Sequence, residues 1–199
     1  MTTAEGYETH FGTNHIGHAL LTKLLLPLLE KIVALPGADV RIVNVSSAAQ
    51  AMAIGGGIPY DETKSDGSAR HRYGWYGSSK LANVMHAAEL AKRHPGITSV
   101  SVHPGRVGTT LLNGYFKKMS GMAMFQKFYD WLVGPLTVEQ GALSQLWAAT
   151  WKKEDVKSGG YYTPVGYDGK DRVNKTATNE KATEKLWEWQ EDEFKKLGY

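Results

Sequence analysis

The strand–helix–strand order in the middle of the chain is the feature that most restricts its fold. Residues 40–47 and 97–102 are short runs rich in Val and Ile, which is typical of strands buried on both faces of a parallel sheet. Between them, apolar residues recur at helical spacing up to about Arg93. Since parallel strands are joined by right-handed crossovers through a helix, this order predicts an α/β fold with a parallel sheet.

The alternation continues on both sides of this unit. An apolar stripe over residues 11–29 predicts a first helix, with Thr2 or Thr3 as its N-cap, and Pro27 is expected to kink or end it. The whole chain is predicted to form one domain, residues 1–199, with about three strands and flanking helices. The remaining predicted elements are a helix over residues 137–151 with Leu143, Leu146 and Trp147 facing inward, a strand over 161–164 and a final helix over 180–197.

Composition and patterning exclude several classes of function. The 23 Lys and Arg residues are nearly matched by 20 Asp and Glu, so no basic surface for nucleic acid is expected. The chain has no Cys, which excludes a disulfide framework and a thiolate metal site. Residues 1–8 are polar, unlike a signal peptide, and charges interrupt the apolar run 19–35, so no integral membrane segment is predicted. The expected location is cytoplasmic.

Polar residues at the ends of the two central strands mark a candidate site. Ser46 and Ser47 end the first strand, residues 103–105 end the second, and Tyr76 begins the helix between them. In parallel sheets, ligands bind beyond the carboxyl ends of the strands. These groups are therefore expected at one edge of the sheet.

The chain contains two Tyr-x-x-x-Lys pairs, and their surroundings differ. Tyr60 and Lys64 lie among glycines and turn-forming residues, which predicts a loop. Tyr76 and Lys80 begin the long helical segment, where positions four apart share a face. We therefore interpret Tyr76 and Lys80 as the functional pair, with the small residues 77–79 leaving room for a flat ligand.

Six sequence blocks resemble the short-chain dehydrogenase/reductase family, most closely its retinol-dehydrogenase-like members. The blocks occur in the family's order and most of them lie between residues 6 and 109. They are Gly6-Tyr7-Glu8, residues 11–22 (FGTNHIGHALLT), residues 41–47 (RIVNVSS), residues 76–83 (YGSSKLAN), residues 103–109 (HPGRVGT) and Gly159-Gly160-Tyr161-Tyr162, which resembles the family's last strand.

The resemblance implies a partial Rossmann-type, doubly wound parallel sheet and an NAD(P)-dependent oxidoreductase. Tyr76 matches the catalytic acid/base and Lys80 its partner, Ser47 the residue that binds the reacting oxygen, and Asn14 the fourth member of the tetrad. The implied cofactor is NADP, with NAD as the alternative, and the implied substrate is an apolar ketone, aldehyde or alcohol. A homodimer through the Asn14 and Tyr76 helices is a further hypothesis. The implied cofactor-binding residues are Asn14, Tyr76, Lys80, Pro104, Gly105, Val107 and Thr109.

Elementary chemistry agrees with these roles. A phenol with a pKa near 10 is a poor base at neutral pH, and a neighbouring ammonium lowers that pKa by favouring the phenolate. Spacing complicates the assignment, because Tyr60 lies 13 residues after Ser47, as in the commonest family members, and Tyr76 lies 29 residues after it. The sequence block around Tyr76 favours the longer spacing and therefore Tyr76 over Tyr60.

Simpler interpretations stay open at several positions. Ser47 is also a plausible cap at a strand end, and Asn14 an ordinary polar residue within a helix. His10, His15 and His18 lie close in sequence, but without a nearby acidic ligand they favour structural roles, so no metal site is predicted. The stretch 119–133, rich in Met and aromatic residues, is either core or a lid over an apolar substrate.

Compared with the family, the glycine-rich turn that receives the cofactor's pyrophosphate is not found, and the chain begins at what resembles the fourth helix. We therefore expect an N-terminally truncated domain in which strand 40–47 exposes an apolar edge. Three explanations are open: a fragment of a normal reductase, a truncated product that pairs with another chain, or a chain that binds cofactor through nicotinamide-side contacts alone. The alternative function is a non-catalytic interaction module.

Overall fold

Four short strands form one sheet at the centre of the computed structural model, which describes residues 1–108 and 134–199. The strands are β1 (Arg41–Val45), β2 (Thr98–Val102), β3 (Tyr161–Thr163) and β4 (Tyr167–Asp168), in the spatial order β1-β2-β3-β4. β1, β2 and β3 are parallel, and β4 is antiparallel to β3. The predicted α/β fold with a parallel sheet is confirmed, and β4 is an additional strand that sequence patterning did not predict.

Helices pack on both faces of this sheet. They are α1 (Thr9–Phe11), a π-helical turn (Gly12–Ile16), α2 (Gly17–Val33), α3 (Arg72–Arg93), α4 (Val138–Thr150) and α5 (Glu180–Lys196). Successive strand residues point to opposite faces, and the neighbours Tyr161 and Tyr162 of β3 belong to two different core clusters. The first cluster is built mainly from α1, α3 and α5, whereas the second joins Val100 and Val102 of β2 to Ala148 of α4. The sheet is therefore doubly wound.

The first helix begins later than the sequence pattern predicts. The Glu8 carboxylate accepts the Phe11 N–H at 2.9 Å, which makes Glu8 the N-cap instead of Thr2 or Thr3. Thr3 and Tyr7 instead bond to each other across a turn in which Gly6 has φ +87°. Of the two expectations for Pro27, a kink or a helix end, the helix end is wrong, because α2 continues past Pro27 to Val33.

The helix predicted over residues 137–151 is confirmed, but its orientation is not as expected. Thr137 and Gln140 form a capping box at its start. The buried face carries the small residues Gly141, Ser144 and Ala148, so Leu143 and Leu146 are 47% and 54% exposed. Close packing selects this face, because a Cβ at position 141 would clash with Val107. Of the three residues predicted to face inward, Leu143 and Leu146 face outward. Trp147 is partly buried and packs on the second core cluster.

An apolar outer surface remains on α2 and at the edge of the sheet. Leu24 and Leu28 of α2 are 57% and 56% exposed, and Leu35 just beyond its end is 56% exposed. In the described ranges β1 pairs only with β2, and Val45 is 38% exposed, as expected for an uncovered edge strand. Within the described ranges, no helix combines the length and apolar character that crossing a membrane requires.

Candidate active site

The carboxyl end of β1 is held against α3 by Ser46. The Ser46 hydroxyl donates to the carbonyl oxygen of Lys80 at 2.7 Å, and the Ser46 N–H donates to Val102 at the end of β2. The strand ends and the first turns of α3 therefore meet at one edge of the sheet, where the sequence predicted a site.

Tyr76 and Lys80 lie side by side on α3, both half-buried. The Lys80 Nζ is 5.8 Å from the centre of the Tyr76 ring and donates to the carbonyl oxygen of Val45 at 3.0 Å. Burial lowers the pKa of the Lys80 ammonium. The His10 and Tyr76 rings pack in a T-shaped arrangement, with 5.9 Å between ring centres. An ammonium that is partly desolvated and fixed beside a phenol is suited to stabilise a phenolate.

Asn14 lies in the π-helical turn and reaches toward the same pair. Its Nδ2 donates to the Ser79 hydroxyl at 3.1 Å, and that hydroxyl donates to the carbonyl oxygen of Tyr76 at 2.8 Å. π-Helical turns often occur at functional sites. The Asn14 side chain is therefore tied to the turn of α3 that carries Tyr76.

Ser47 has a structural contact that leaves its hydroxyl proton available. Its Oγ accepts the Ala49 N–H at 3.2 Å and caps the 3₁₀ turn Ala48–Met52. A hydroxyl that accepts one hydrogen bond can still donate another. The capping role therefore does not compete with the predicted contact to a substrate oxygen.

The small residues after Tyr76 are covered by the chain itself, contrary to expectation. A Cβ at Gly77 would lie 2.7 Å from the carbonyl oxygen of Ala49. Ser78 is buried and donates to the carbonyl oxygen of Gly57 at 2.9 Å, and Ser79 is buried against Asn14. The loop after β1, rather than a flat ligand, occupies this face of α3.

The predicted cofactor-binding residues Pro104, Gly105 and Val107 lie beyond β2. Gly105 has φ +89°, and a Cβ there would lie 2.5 Å from Leu136, so the turn needs glycine for both conformation and space. Val107 forms a parallel bridge with Leu136 and its side chain packs on Gly141 of α4, so a cofactor contact here would use the backbone. Pro104 is half-buried in the same segment, whereas Thr109 and the stretch 119–133 lie outside the described residues.

The three early histidines have separate surroundings. His10 packs on Tyr76, and the exposed His18 contacts the carbonyl oxygen of Thr13 at 3.0 Å. His15 is buried, and its Nδ1 lies 3.2 Å from Oδ1 of Asn83. Burial lowers the pKa of His15 to about 4 and that of the neighbouring His86 to about 3, so both rings are neutral at pH 7. In the described part of the chain no three His, Cys, Asp or Glu side chains cluster as metal ligands.

Three contacts at the site were not assigned from the sequence. They involve Ser46, Ser79 and Asn83. Helical spacing gives one signal, because Asn83 lies three positions after Lys80 and therefore on a neighbouring part of the same helix face.

Comparison with known proteins agrees with the fold and with the sequence resemblance. No family model matches the chain. A short-chain dehydrogenase/reductase of Armillaria gallica is 36% identical over 203 residues, which covers 98% of this chain and 60% of that protein. A crystal structure of an uncharacterised protein from Mycobacterium paratuberculosis shares the fold, with a TM-score of 0.60 at 24% identity over 96% of this chain and 60% of the other. Over 93–98% of its own length, the chain is thus similar to proteins named short-chain dehydrogenase/reductase or retinol dehydrogenase.

Two human relatives are named retinol dehydrogenases. Retinol dehydrogenase 12 of Homo sapiens is 37% identical over 188 residues, covering 93% of this chain and 54% of that protein. Retinol dehydrogenase 11 of Homo sapiens is 35% identical over 191 residues, covering 94% and 54%. The chain thus spans between 54% and 60% of the length of these curated relatives.

Proposed function

We propose that the protein is an NAD(P)-dependent oxidoreductase that interconverts an alcohol and an aldehyde or ketone. One observation carries the proposal, namely the Lys80 ammonium 5.8 Å from the Tyr76 ring with Asn14 joined to the same helix turn through Ser79. Relatives named as short-chain dehydrogenases/reductases support the reaction class.

Tyr76 is the proposed acid/base. Its hydroxyl forms no hydrogen bond to another described residue, so it is available to a substrate oxygen. In the direction of reduction the phenol gives a proton to that oxygen, and in the direction of oxidation the phenolate takes one. Lys80 favours the phenolate electrostatically, and Ser47 donates a hydrogen bond to the same substrate oxygen.

The nicotinamide nucleotide supplies the hydride when it is bound. Lys80 fits such a ligand, because an ammonium has three N–H bonds and only one is donated to a described residue, Val45. The remaining donors can hold hydroxyl groups of the nucleotide. The proposed binding set is Asn14, Tyr76, Lys80, Pro104, Gly105, Val107 and Thr109, with NADP as the nucleotide and NAD as the alternative.

The proposed substrate is apolar. The relatives named retinol dehydrogenase suggest a long hydrocarbon alcohol or aldehyde, of which a retinoid is one example. The cytoplasm is the proposed location.

The test is nucleotide oxidation by the purified chain, followed by absorbance with NADPH and with NADH. The aldehydes would run from short aliphatic chains to retinal, with the alcohols and oxidised nucleotides for the reverse direction. We expect NADPH-dependent reduction that improves with the length of the hydrocarbon. A folded chain that oxidises neither nucleotide with any of these substrates would contradict the proposal.

A non-catalytic interaction module is the second candidate, and the outer face of α2 favours it. Leu24 and Leu28 leave more than half of their surface exposed on one helix, which is typical of a surface covered in an assembly. If this role is correct, the chain should have a mass above that of a monomer in solution, and Leu24→Glu with Leu28→Glu should return it to the monomer. The homodimer hypothesis is tested by the same measurement. Assembly without nucleotide turnover would favour this candidate.

A further inference from the structure

The side chain of Asn83 connects the elements that carry the candidate active site. Asn83 lies on α3, one helical turn after Lys80, and is only 5% exposed. A buried carboxamide has two N–H donors and an oxygen acceptor that must all find partners. Each of its hydrogen bonds reaches a different part of the site.

Its two donors join the π-helical turn to the end of β1. The Nδ2 atom donates to the carbonyl oxygen of Asn14 at 3.0 Å and to that of Val45 at 3.1 Å. Asn83 thus donates to a backbone carbonyl within the π-helical turn Gly12–Ile16. This bond holds the turn that carries Asn14 against α3.

The acceptor fixes the orientation of the carboxamide. Its Oδ1 faces Nδ1 of the buried His15 at 3.2 Å. The oxygen can only accept, so Nδ1 of the neutral ring carries the proton. A flipped carboxamide would turn an N–H toward that ring and an oxygen toward two carbonyl oxygens, so this geometry permits one orientation.

The carbonyl oxygen of Val45 is shared with the candidate catalytic lysine. It accepts from Nδ2 of Asn83 and from Nζ of Lys80 at 3.0 Å. The two side chains, one helical turn apart, therefore bind the same backbone atom at the strand end that leads to Ser47.

We propose that Asn83 is a positioning residue, whose carboxamide sets the distance between the Asn14 turn, the end of β1 and Lys80. This role rests on the proposed function, because the site that it positions is the one assigned there.

The test compares Asn83→Leu with Thr183→Val. Leucine keeps the approximate volume and removes all three hydrogen bonds. The control removes the buried hydroxyl of Thr183 on α5, which contacts the Glu89 carboxylate at 2.8 Å, nine residues beyond Lys80 on α3. With NADPH and the best aldehyde, we expect kcat to fall at least about tenfold more in Asn83→Leu than in the control, while KM stays within about threefold. In Asn83→Leu, the titration midpoint of Lys80, followed by NMR at its ε-carbon, should shift by about half a pH unit or more relative to the unmodified chain and to Thr183→Val.

A measurement on the unmodified chain keeps the proposal testable if the leucine variant does not fold. The side-chain NH₂ protons of Asn83 should exchange with solvent at least about a hundredfold more slowly than those of exposed Asn179. The reason is that both NH₂ protons of Asn83 are hydrogen-bonded in the interior. Unprotected NH₂ protons would overturn the proposal. So would a leucine variant whose kcat and Lys80 titration match those of the control. If the unmodified chain turns over no substrate, the proposed function fails, and the Lys80 titration and NH₂ exchange still decide whether Asn83 holds these elements together.

Discussion

The two Tyr-x-x-x-Lys pairs of this chain have the same spacing and opposite environments. Tyr76 and Lys80 share one face of α3, and the ammonium points to the end of a strand. Tyr60 lies in the 3₁₀ turn Tyr60–Glu62, and Lys64 follows it in a loop. The comparison shows that a four-residue spacing brings side chains together only when a continuous helix supports it.

Tyr60 and Lys64 each make a separate structural contact with α5. The Tyr60 ring packs on Trp189 with 5.4 Å between ring centres, and burial raises the pKa of its hydroxyl to about 12. Lys64 instead pairs with the Glu193 carboxylate at 2.6 Å, where Tyr7 also donates at 2.6 Å. A lysine that is neutralised by a carboxylate has little effect on a tyrosine elsewhere, so this pair is suited to hold α5 and not to move protons.

The largest expected difference between the pairs is in turnover. Tyr76→Phe removes the proposed acid/base and should lower kcat/KM by about 10²- to 10⁴-fold. Tyr60→Phe should change it less than about twofold, because its hydroxyl lies outside the site. Steady-state kinetics of the two variants, with thermal melting to show that both fold, measures the difference. Equal losses would remove the distinction between the pairs.

As pH falls, protonation of the buried histidines His15 and His86 should lower the free energy of unfolding before protonation of Glu193 does. His15 and His86 have pKa values of about 4 and about 3, below the ordinary 6.5, because burial disfavours the charged ring. As pH falls below 6.5, the unfolded chain binds protons that the folded chain does not, so the free energy of unfolding should fall by up to about 1.4 kcal/mol per pH unit for each histidine.

The Glu193 network should respond only at lower pH. Burial raises the pKa of the Glu193 carboxyl, but hydrogen bonds from Lys196, Lys64 and Tyr7 outweigh burial and lower the pKa to about 2. Its stabilising contribution is therefore complete above the ordinary value of 4.5 and is lost as pH falls toward 2.

The histidine effect is measured by urea unfolding at several pH values between 7.5 and 4.5, which gives the slope of the free energy of unfolding against pH. His86→Leu should reduce this slope, whereas His18→Gln at an exposed position should not. A slope unaffected by His86→Leu would refute this explanation.

The smallest expected difference concerns stability. Lys64→Met leaves Glu193 with two of its three partners and should cost about 1 kcal/mol, since the lysine itself is partly exposed. Lys80→Met should cost less, because burial already disfavours its charge. Urea midpoints compared at pH 7.5 test this order. A larger loss of stability for Lys80→Met than for Lys64→Met would show that Lys80 acts chiefly in stabilising the fold.

Much of the fold follows from local sequence patterns. Helical periodicity predicted α3, in which Leu81, Val84 and Met85 are buried, and the Val-rich run predicted β2. The orientation of α4 was predicted incorrectly, because close packing of Gly141 against Val107 outweighs the larger apolar residues on its other face. The Glu8 cap and β4 depend on turns that give weak sequence signals.

The candidate site is less completely predictable. The sequence indicates Asn14, Ser47, Tyr76 and Lys80, but not the contacts that join them. The Asn14–Ser79 hydrogen bond and the three contacts of Asn83 arise only when the π-helical turn, β1 and α3 come together. Such contacts between distant parts of the chain leave no periodic signal.

We propose that Tyr76 and Lys80, and not Tyr60 and Lys64, form a nucleotide-dependent site. This assignment is tested by titrating the unmodified chain, Lys80→Met and Lys64→Met with NADPH and NADH, while nucleotide fluorescence and melting temperature are followed together. A ligand that binds only the folded state raises the melting temperature at saturation. We expect saturable binding that Lys80→Met abolishes and that Lys64→Met retains. Loss of binding in both variants, or binding that Lys80→Met leaves unchanged, would show that the assignment is wrong.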